Sequence, residues 1–169
     1  MTRAQTTVLI GAICGIVTVA VAMAVLSRVL PAPTMADEAG AKLGYALKWG
    51  ALAAVPLLTM IAAVGNARFA SDAIDPTRGA ESVKMVIDGR VADNTLQQFA
   101  LFLAASLALA VSLPPERLPV IGAAAIVFAA CRFAFWIGYR INPLYRAFGF
   151  ASTFYLNLGL LVVALWLAL

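Results

Sequence analysis

The sequence contains no histidine, only two cysteines and few charged residues, which make up 12% of its 169 residues. Zinc sites and disulfide frameworks are therefore not expected, because Cys14 and Cys131 lie in separate apolar stretches, where we predict two buried thiols. No serine or cysteine stands in a pattern that pairs it with a base, so a protein nucleophile is not indicated. Hydrophobic residues are abundant instead, at 63%, which is above the share in soluble domains and indicates a membrane protein.

The hydrophobic residues are grouped in runs of about 20, the length that a helix needs to cross about 30 Å of hydrocarbon. Strands of a membrane barrel would alternate between apolar and polar residues. The runs predict an all-α integral membrane protein with five spans, at residues 8–30, 45–65, 94–113, 118–139 and 148–169. A basic start and the letters "TMA" before Asp37 leave a cleaved signal peptide as an alternative for the first run. Its apolar core exceeds the usual length of about 7 to 15 residues, which favours a retained helix.

The net charge of +4 would suggest a nucleic-acid partner for a soluble domain, but the basic residues here lie between apolar runs, where they set topology. We therefore expect no nucleic acid partner. One side of the membrane receives Arg3, Arg68, Arg78, Lys84, Arg90, Arg140 and Arg146, and the other receives Arg28, Lys42, Lys48 and Arg117. The positive-inside rule then predicts a cytoplasmic amino terminus and a cytoplasmic connection at residues 66–93, in what we expect to be a bacterial inner membrane.

Polar side chains stand at the start of the third run and near the end of the fourth. Arg90, Asn94 and Gln97 fall within about 60° of one another on a single helix face. The full set that we expect to line one pocket is Arg90, Asn94, Gln97, Arg132, Trp136, Tyr139 and Arg146. Guanidinium, amide and hydroxyl groups bind carboxylates. A pocket built from helix ends would open to the cytoplasm and to lipid, which suits pairing a soluble anion with a lipophilic small molecule.

Arg132 carries the most weight in this set, because it lies roughly 10 Å deeper in its helix than Tyr139. A guanidinium inside hydrocarbon costs about 2.5 to 3.5 kcal/mol on insertion scales. No acidic residue occurs in the third, fourth or fifth predicted span, so we expect an anionic ligand as its partner. Alternatives remain open: Arg132 can snorkel, the boundary arginines can meet lipid headgroups, Asn94 can cap a helix, and Tyr139 and Trp136 can belong to an aromatic belt.

Two further features concern packing. The stretch "GAICGIVTVAVAMA" in the first run is rich in small residues, which allow close contact with another helix. Asn157, deep in the fifth span, is expected to form an interhelical hydrogen bond.

The order of Arg90, Asn94 and Gln97, followed by "CRFAFWIGYRINPLYRAFGF", resembles the MAPEG family, the membrane-associated proteins of eicosanoid and glutathione metabolism. The resemblance covers residues 53–169. It implies a four-helix bundle at residues 40–169 that assembles as a homotrimer, with residues 1–39 as an additional helix and loop. It also implies glutathione as a co-substrate bound between protomers, with contacts from Arg90, Asn94, Gln97, Arg132, Tyr139 and Arg146, and Arg68 near the position of a thiol-activating arginine.

The resemblance implies a membrane-bound glutathione-dependent transferase or peroxidase that joins the thiolate to lipophilic electrophiles. The alternative is a non-catalytic protein that uses the same fold for lipid binding or assembly. Gln97 stands where the family usually has glutamate, and Phe135 stands where glutathione-binding members often have tyrosine, and both favour this alternative. A small transporter is less favoured, because the spans show neither paired inverted repeats nor an acidic relay. No metal site is expected.

Overall fold

The computed structural model describes residues 1–34 and 37–169, apart from the side chain of Pro76. These ranges form five long helices and three short 3-10 turns, and they contain no strand. The helices are α1 (Arg3–Val29), α2 (Ala39–Phe69), α3 (Val83–Ser112), α4 (Pro119–Ile141) and α5 (Arg146–Ala168). All five are long and apolar enough to cross a membrane, so the predicted all-α membrane protein with five spans is confirmed. The signal-peptide alternative placed a cleavage site at the letters "TMA", which include residues 35 and 36, and these two lie outside the described residues.

The third helix begins at Val83, well before the predicted start at Asn94. The Ser82 side chain caps it by accepting a hydrogen bond from the Met85 amide. The polar connection is therefore shorter than predicted and consists of residues 70–82, which include two 3-10 turns. Because Asn94 lies well inside α3, the alternative that it caps a helix is wrong. We call the end of the bundle with this connection, the start of α1 and the start of α5 the basic end.

The core is built by interlocking α2 to α5. Phe102 of α3 and Phe128 of α4 are fully buried, and their ring centroids lie 4.9 Å apart. Small residues such as Ala53 and Ala124 let the backbones approach, as is common where membrane helices pack. The tight core holds the basic ends of α3, α4 and α5 in fixed positions relative to one another.

Lys42, expected only as a topology charge, is buried at the end opposite the basic end. Its ammonium donates to the carbonyl oxygens of Val111 and Leu113 over 3.0 and 3.1 Å and pairs with Asp37 over 2.9 Å. It therefore satisfies carbonyl groups that the carboxyl end of α3 leaves free.

α1 packs along α5 through its small residues, as the sequence predicts. A Cβ atom added at Gly15 would lie only 2.5 Å from the carbonyl oxygen of Phe148 and 2.7 Å from the Ser152 hydroxyl oxygen. The backbones thus meet directly at this point. Cys14 faces outward and is exposed, so the prediction that both thiols are buried is right for Cys131 and wrong for Cys14. The other face of α1 is exposed and apolar, which suits contact with lipid.

Candidate functional site

Arg132 is completely buried, with 0% of its surface exposed. Its Nε and Nη2 atoms donate to the Thr95 hydroxyl over 3.1 and 2.7 Å. Nη2 also donates to Oδ1 of Asn94 over 3.0 Å, and Nη1 donates to the Thr153 hydroxyl over 3.1 Å. The guanidinium carbon lies 4.1 Å from the centre of the Phe135 ring. The alternative in which Arg132 reaches out to the headgroups is therefore wrong.

All hydrogen-bond partners of Arg132 are electrically neutral. Its four hydrogen bonds occupy most of the five N–H groups of a guanidinium, and within residues 1–34 and 37–169 no carboxylate pairs with it. The hydroxyl and amide oxygens offset part of the desolvation cost but leave the net positive charge in place. The interior of the protein near Arg132 therefore attracts negative charge.

A cavity of about 660 Å³ lies beside Arg132, separated from it by Asn94 and Phe135. We call it the arginine pocket. Its lining includes Arg90, Asn94, Tyr139 and Arg146, which are four of the six predicted ligand contacts, and also Tyr155, which was not predicted. Arg132 itself does not line the cavity, but its hydrogen bond to Oδ1 of Asn94 positions that lining residue.

Arg146 and Tyr139 form one side of the arginine pocket. Nη1 of Arg146 donates to the Tyr139 hydroxyl over 3.1 Å, and the guanidinium carbon lies 5.1 Å from the centre of that ring. Arg146 is also the first residue of α5, and no side chain caps this helix start. The Ala147 N–H donates to the Leu144 carbonyl over 3.3 Å, and the N–H groups of the first turn that stay free, together with the helix dipole, add to the positive potential at this end.

The rest of the arginine pocket is apolar. Phe150 and Phe154 of α5, whose rings stack with centroids 6.0 Å apart, contribute to it, together with Val8 and Ala12 of α1. Both phenylalanines are partly exposed on the outer surface of the chain. The pocket thus combines a cationic side at the helix ends with an apolar side at the surface that faces lipid.

Besides Arg132, two further predicted site residues, Gln97 and Arg68, do not line the arginine pocket within one chain. Gln97 is exposed on the outer face of α3. Arg68, at the end of α2, donates through Nε to the Glu81 carboxylate over 2.9 Å. Both therefore stay predictions that depend on an assembly of several chains.

Trp136 was expected in the same pocket, and this expectation is wrong. Its indole N–H donates over 2.7 Å to the carboxylate of Asp88, which is only 2% exposed. Arg140 donates two hydrogen bonds, of 2.7 and 2.6 Å, to the same carboxylate, and its guanidinium stacks on the Trp136 ring. This group ties α3 to α4 beside the arginine pocket. Sequence reasoning missed it because Asp88 was assigned to a loop.

Asn157 donates to both the backbone carbonyl and the side-chain oxygen of Gln98, each over 2.9 Å. The predicted interhelical hydrogen bond of Asn157 is confirmed, and its partner is α3. The contact fixes the rotation of α3 relative to α5. Gln98 is thereby held on the buried face, and Gln97, about 100° further round the helix, is exposed.

The fold and the site define an integral membrane helical bundle with a cationic pocket that opens at the lipid-facing surface. A comparison with known protein families matches residues 46–166, and the chain belongs to the MAPEG family. The match covers α2 to α5, and α1 lies outside it. Searches among curated proteins and among solved structures found no match. The division into residues 1–39 and 40–169 stays a prediction.

Proposed function

We propose that the protein is a glutathione-dependent transferase or peroxidase that acts on lipophilic electrophiles from the membrane. The observation that carries this proposal is the arginine pocket, in which two arginines and an uncapped helix start face an apolar wall at the lipid. Its volume of about 660 Å³ falls within the roughly 300–1,000 Å³ of pockets for drug-sized ligands. Family membership supports glutathione as the anionic partner.

In this proposal Arg90 and the start of α5 hold the carboxylates of glutathione, and Asn94 donates its amide N–H groups to them. The side chains Arg146 and Tyr139 face the sulfur. A guanidinium near a thiol favours the thiolate, so the proton leaves to solvent at neutral pH. Asn94 is already oriented, because its Oδ1 accepts from Arg132 and its N–H groups therefore point elsewhere.

The thiolate sulfur then forms a bond to an electrophilic carbon, and the leaving group departs with the electrons of the bond that breaks. With a hydroperoxide, two glutathione molecules are oxidised to one disulfide while the hydroperoxide is reduced to an alcohol and water. No protein nucleophile takes part in either reaction. The pocket supplies positioning and positive potential, which are the usual sources of rate enhancement at such sites.

We also propose that the protein works as a homotrimer, as is common in this family. The exposed face of α3 carries Gln97 followed by Ala100, Ala104 and Ala108. An amide exposed to lipid is costly, and small residues at spacings of three and four are typical of helix interfaces in membranes. A neighbouring protomer on this face would cover Gln97 and bring further residues, Arg68 among them, toward the pocket.

Glutathione binding to protein in lipid nanodiscs tests the proposed function. We expect saturable binding by calorimetry and a thiolate absorbance that Arg146→Gln removes. Arg78→Gln, in the exposed connection, is the matched control and leaves both signals unchanged. Absence of binding at millimolar glutathione would refute the proposal.

A non-catalytic role in lipid binding or assembly is the second candidate, and one observation favours it. Protein groups on α3 and α5 accept the hydrogen bonds of Arg132, so these contacts give the buried charge a structural role of its own. In that case Arg132→Ala lowers stability, and no variant of Arg90 or Arg146 changes a ligand response. Measuring both properties on the same variants separates the two candidates.

A further inference from the structure

A second cavity, of about 580 Å³, lies between α1 and α5 toward the end of the bundle opposite the basic end. Val19, Met23 and Ser27 of α1 line one side of it, and because they are spaced by four they share one helix face. On α5 the lining extends from Tyr155 to Val163. We call this cavity the α1 groove. Among the described residues, Tyr155 is the only one that lines both the α1 groove and the arginine pocket.

The α1 groove has a buried apolar floor and a rim on the outer surface of the chain. Leu109 and Leu156 of the floor are buried, whereas Tyr155 and Val163 of the rim are exposed. Water is a poor occupant of a space with an apolar lining, and an empty space would lose packing contacts. Because the rim faces the membrane, hydrocarbon from the bilayer is the material that suits this groove.

The length of the groove is close to the thickness of one leaflet. Val19 and Ser27 on α1, like Tyr155 and Val163 on α5, are separated by eight positions, which corresponds to about 12 Å along either helix. Half of the hydrocarbon core of a bilayer is about 15 Å thick. An acyl chain that enters beside Ser27 therefore reaches close to the centre of the bilayer within the groove.

Two opposite charges lie at the membrane-surface end of the groove. Glu116 and Arg117 line it from the 3-10 turn Pro115–Arg117, which joins α3 to α4. Both side chains are exposed, and in the part of the chain that the structure describes neither forms an ion pair. A guanidinium binds phosphate, and a carboxylate accepts hydrogen bonds from a primary ammonium. The turn thus complements a headgroup that carries both of these charges.

We propose that the α1 groove binds one phosphatidylethanolamine molecule from the leaflet opposite the basic end. One acyl chain lies in the groove, Arg117 binds the phosphate, and Glu116 binds the primary ammonium. A choline headgroup has a trimethylated nitrogen that donates no hydrogen bond, and a glycerol headgroup has no cation, so neither satisfies Glu116 equally well. The lipid contacts α1, which lies outside the matched family residues, together with α3, α4 and α5, and so helps to hold α1 on the bundle.

Native mass spectrometry of protein released from lipid nanodiscs tests the choice of headgroup. The nanodiscs contain equal amounts of phosphatidylethanolamine, phosphatidylcholine and phosphatidylglycerol with identical acyl chains. We expect one retained lipid per chain, with phosphatidylethanolamine favoured about fivefold over each of the others, which is the effect of one favourable charge pair near the membrane surface. Equal retention of the three lipids would overturn the proposal.

Variants of the two charged residues assign the headgroup contacts. Glu116→Gln removes the preference for phosphatidylethanolamine over phosphatidylcholine, and Arg117→Gln lowers the retention of all three lipids, because they share the phosphate. Glu38→Gln changes an exposed carboxylate at the same end of the bundle but outside the groove, so it is the matched control and keeps the preference. A preference that survives Glu116→Gln would contradict the proposal.

Gly159→Leu tests where the acyl chain lies. Gly159 lines the groove, and a Cβ atom added there would have no heavy atom within 4 Å, so the larger side chain occupies the groove without a backbone clash. We expect the retained lipid to be lost. Gly65→Leu, on α2 outside the groove and with equally open space at its Cβ, keeps the lipid. Unchanged retention in Gly159→Leu would overturn the proposal, and an accompanying change in oligomeric state would assign the groove to a second copy of the chain.

Discussion

The Thr95 hydroxyl is the acceptor on which Arg132 depends most, and Thr95→Val removes it at almost constant volume. Two of the four hydrogen bonds of the guanidinium are lost, at a site where both side chains are 0% exposed. Hydrogen bonds to charged groups contribute about 1.5–3 kcal/mol in soluble proteins, whereas those between membrane helices average about 0.6 and reach about 1.7 kcal/mol. We expect Thr95→Val to lower the free energy of unfolding by about 1–2 kcal/mol.

Thr18→Val is a closely matched control. The hydroxyls of Thr95 and Thr18 both donate to the carbonyl four residues earlier, over 2.7 and 2.8 Å, so each substitution removes one such bond from a helix. Only Thr95 also accepts from an arginine. Unfolding in detergent with increasing dodecyl sulfate, followed by tryptophan fluorescence, measures the difference between the two variants. A difference below about 0.5 kcal/mol would refute the view that the Thr95 hydroxyl stabilises the buried charge.

Three further outcomes follow from the packing. Asp88→Asn weakens the ion pair with Arg140, and we expect it to lower the free energy of unfolding by about 1–3 kcal/mol in the same unfolding assay. Asp93→Asn, at an exposed position of the same helix, has little effect. Gly15→Ala places a methyl group against the Phe148 carbonyl oxygen, forces α1 away from α5 and lowers the free energy of unfolding in the same assay, whereas Gly65→Ala, with open space around its Cβ, does not. Ala104→Leu adds bulk to the exposed face of α3 that we propose to contact a neighbouring protomer, so native mass spectrometry should show less of the proposed trimer, and an unchanged distribution would contradict that contact.

The fold was largely predictable from the sequence because each apolar run is long enough to cross the membrane by itself. The main error concerned the start of α3. The stretch after Ser82 mixes apolar and charged residues, so a search for apolar runs places the start of this helix too late. The helix continues there because Ser82 caps it and because Asp88 is paired with Arg140 and Trp136 across to α4. Such a pairing depends on the rotation of both helices, which no spacing within a single helix can give.

The candidate site was predicted in part for the same reason. Spacing within one helix identified Arg90 and Asn94 as neighbours, and both line the arginine pocket. It did not reveal that Thr95 and Thr153 supply the acceptors for Arg132, because those contacts cross from α4 to α3 and α5. A signal was present, since hydroxyl residues in apolar spans often bond between helices. Gln97 shows the opposite case, in which correct spacing on α3 does not decide whether the side chain reaches the pocket of its own chain.

The hydrogen-bond partners of Arg132 are neutral, and this determines whether its positive charge can act on a ligand in the pocket. A carboxylate in place of Thr95 or Asn94 would satisfy the guanidinium and also cancel its charge, leaving little field for a ligand. Hydroxyl and amide oxygens satisfy the same N–H groups and leave the charge intact. The charge then acts on the adjacent pocket through Asn94 and Phe135, and because Arg132 itself is fully buried, its charge is screened less than that of an exposed arginine. For an anionic ligand this arrangement gives both an oriented amide and a positive potential before binding, so neither has to be created when the ligand arrives.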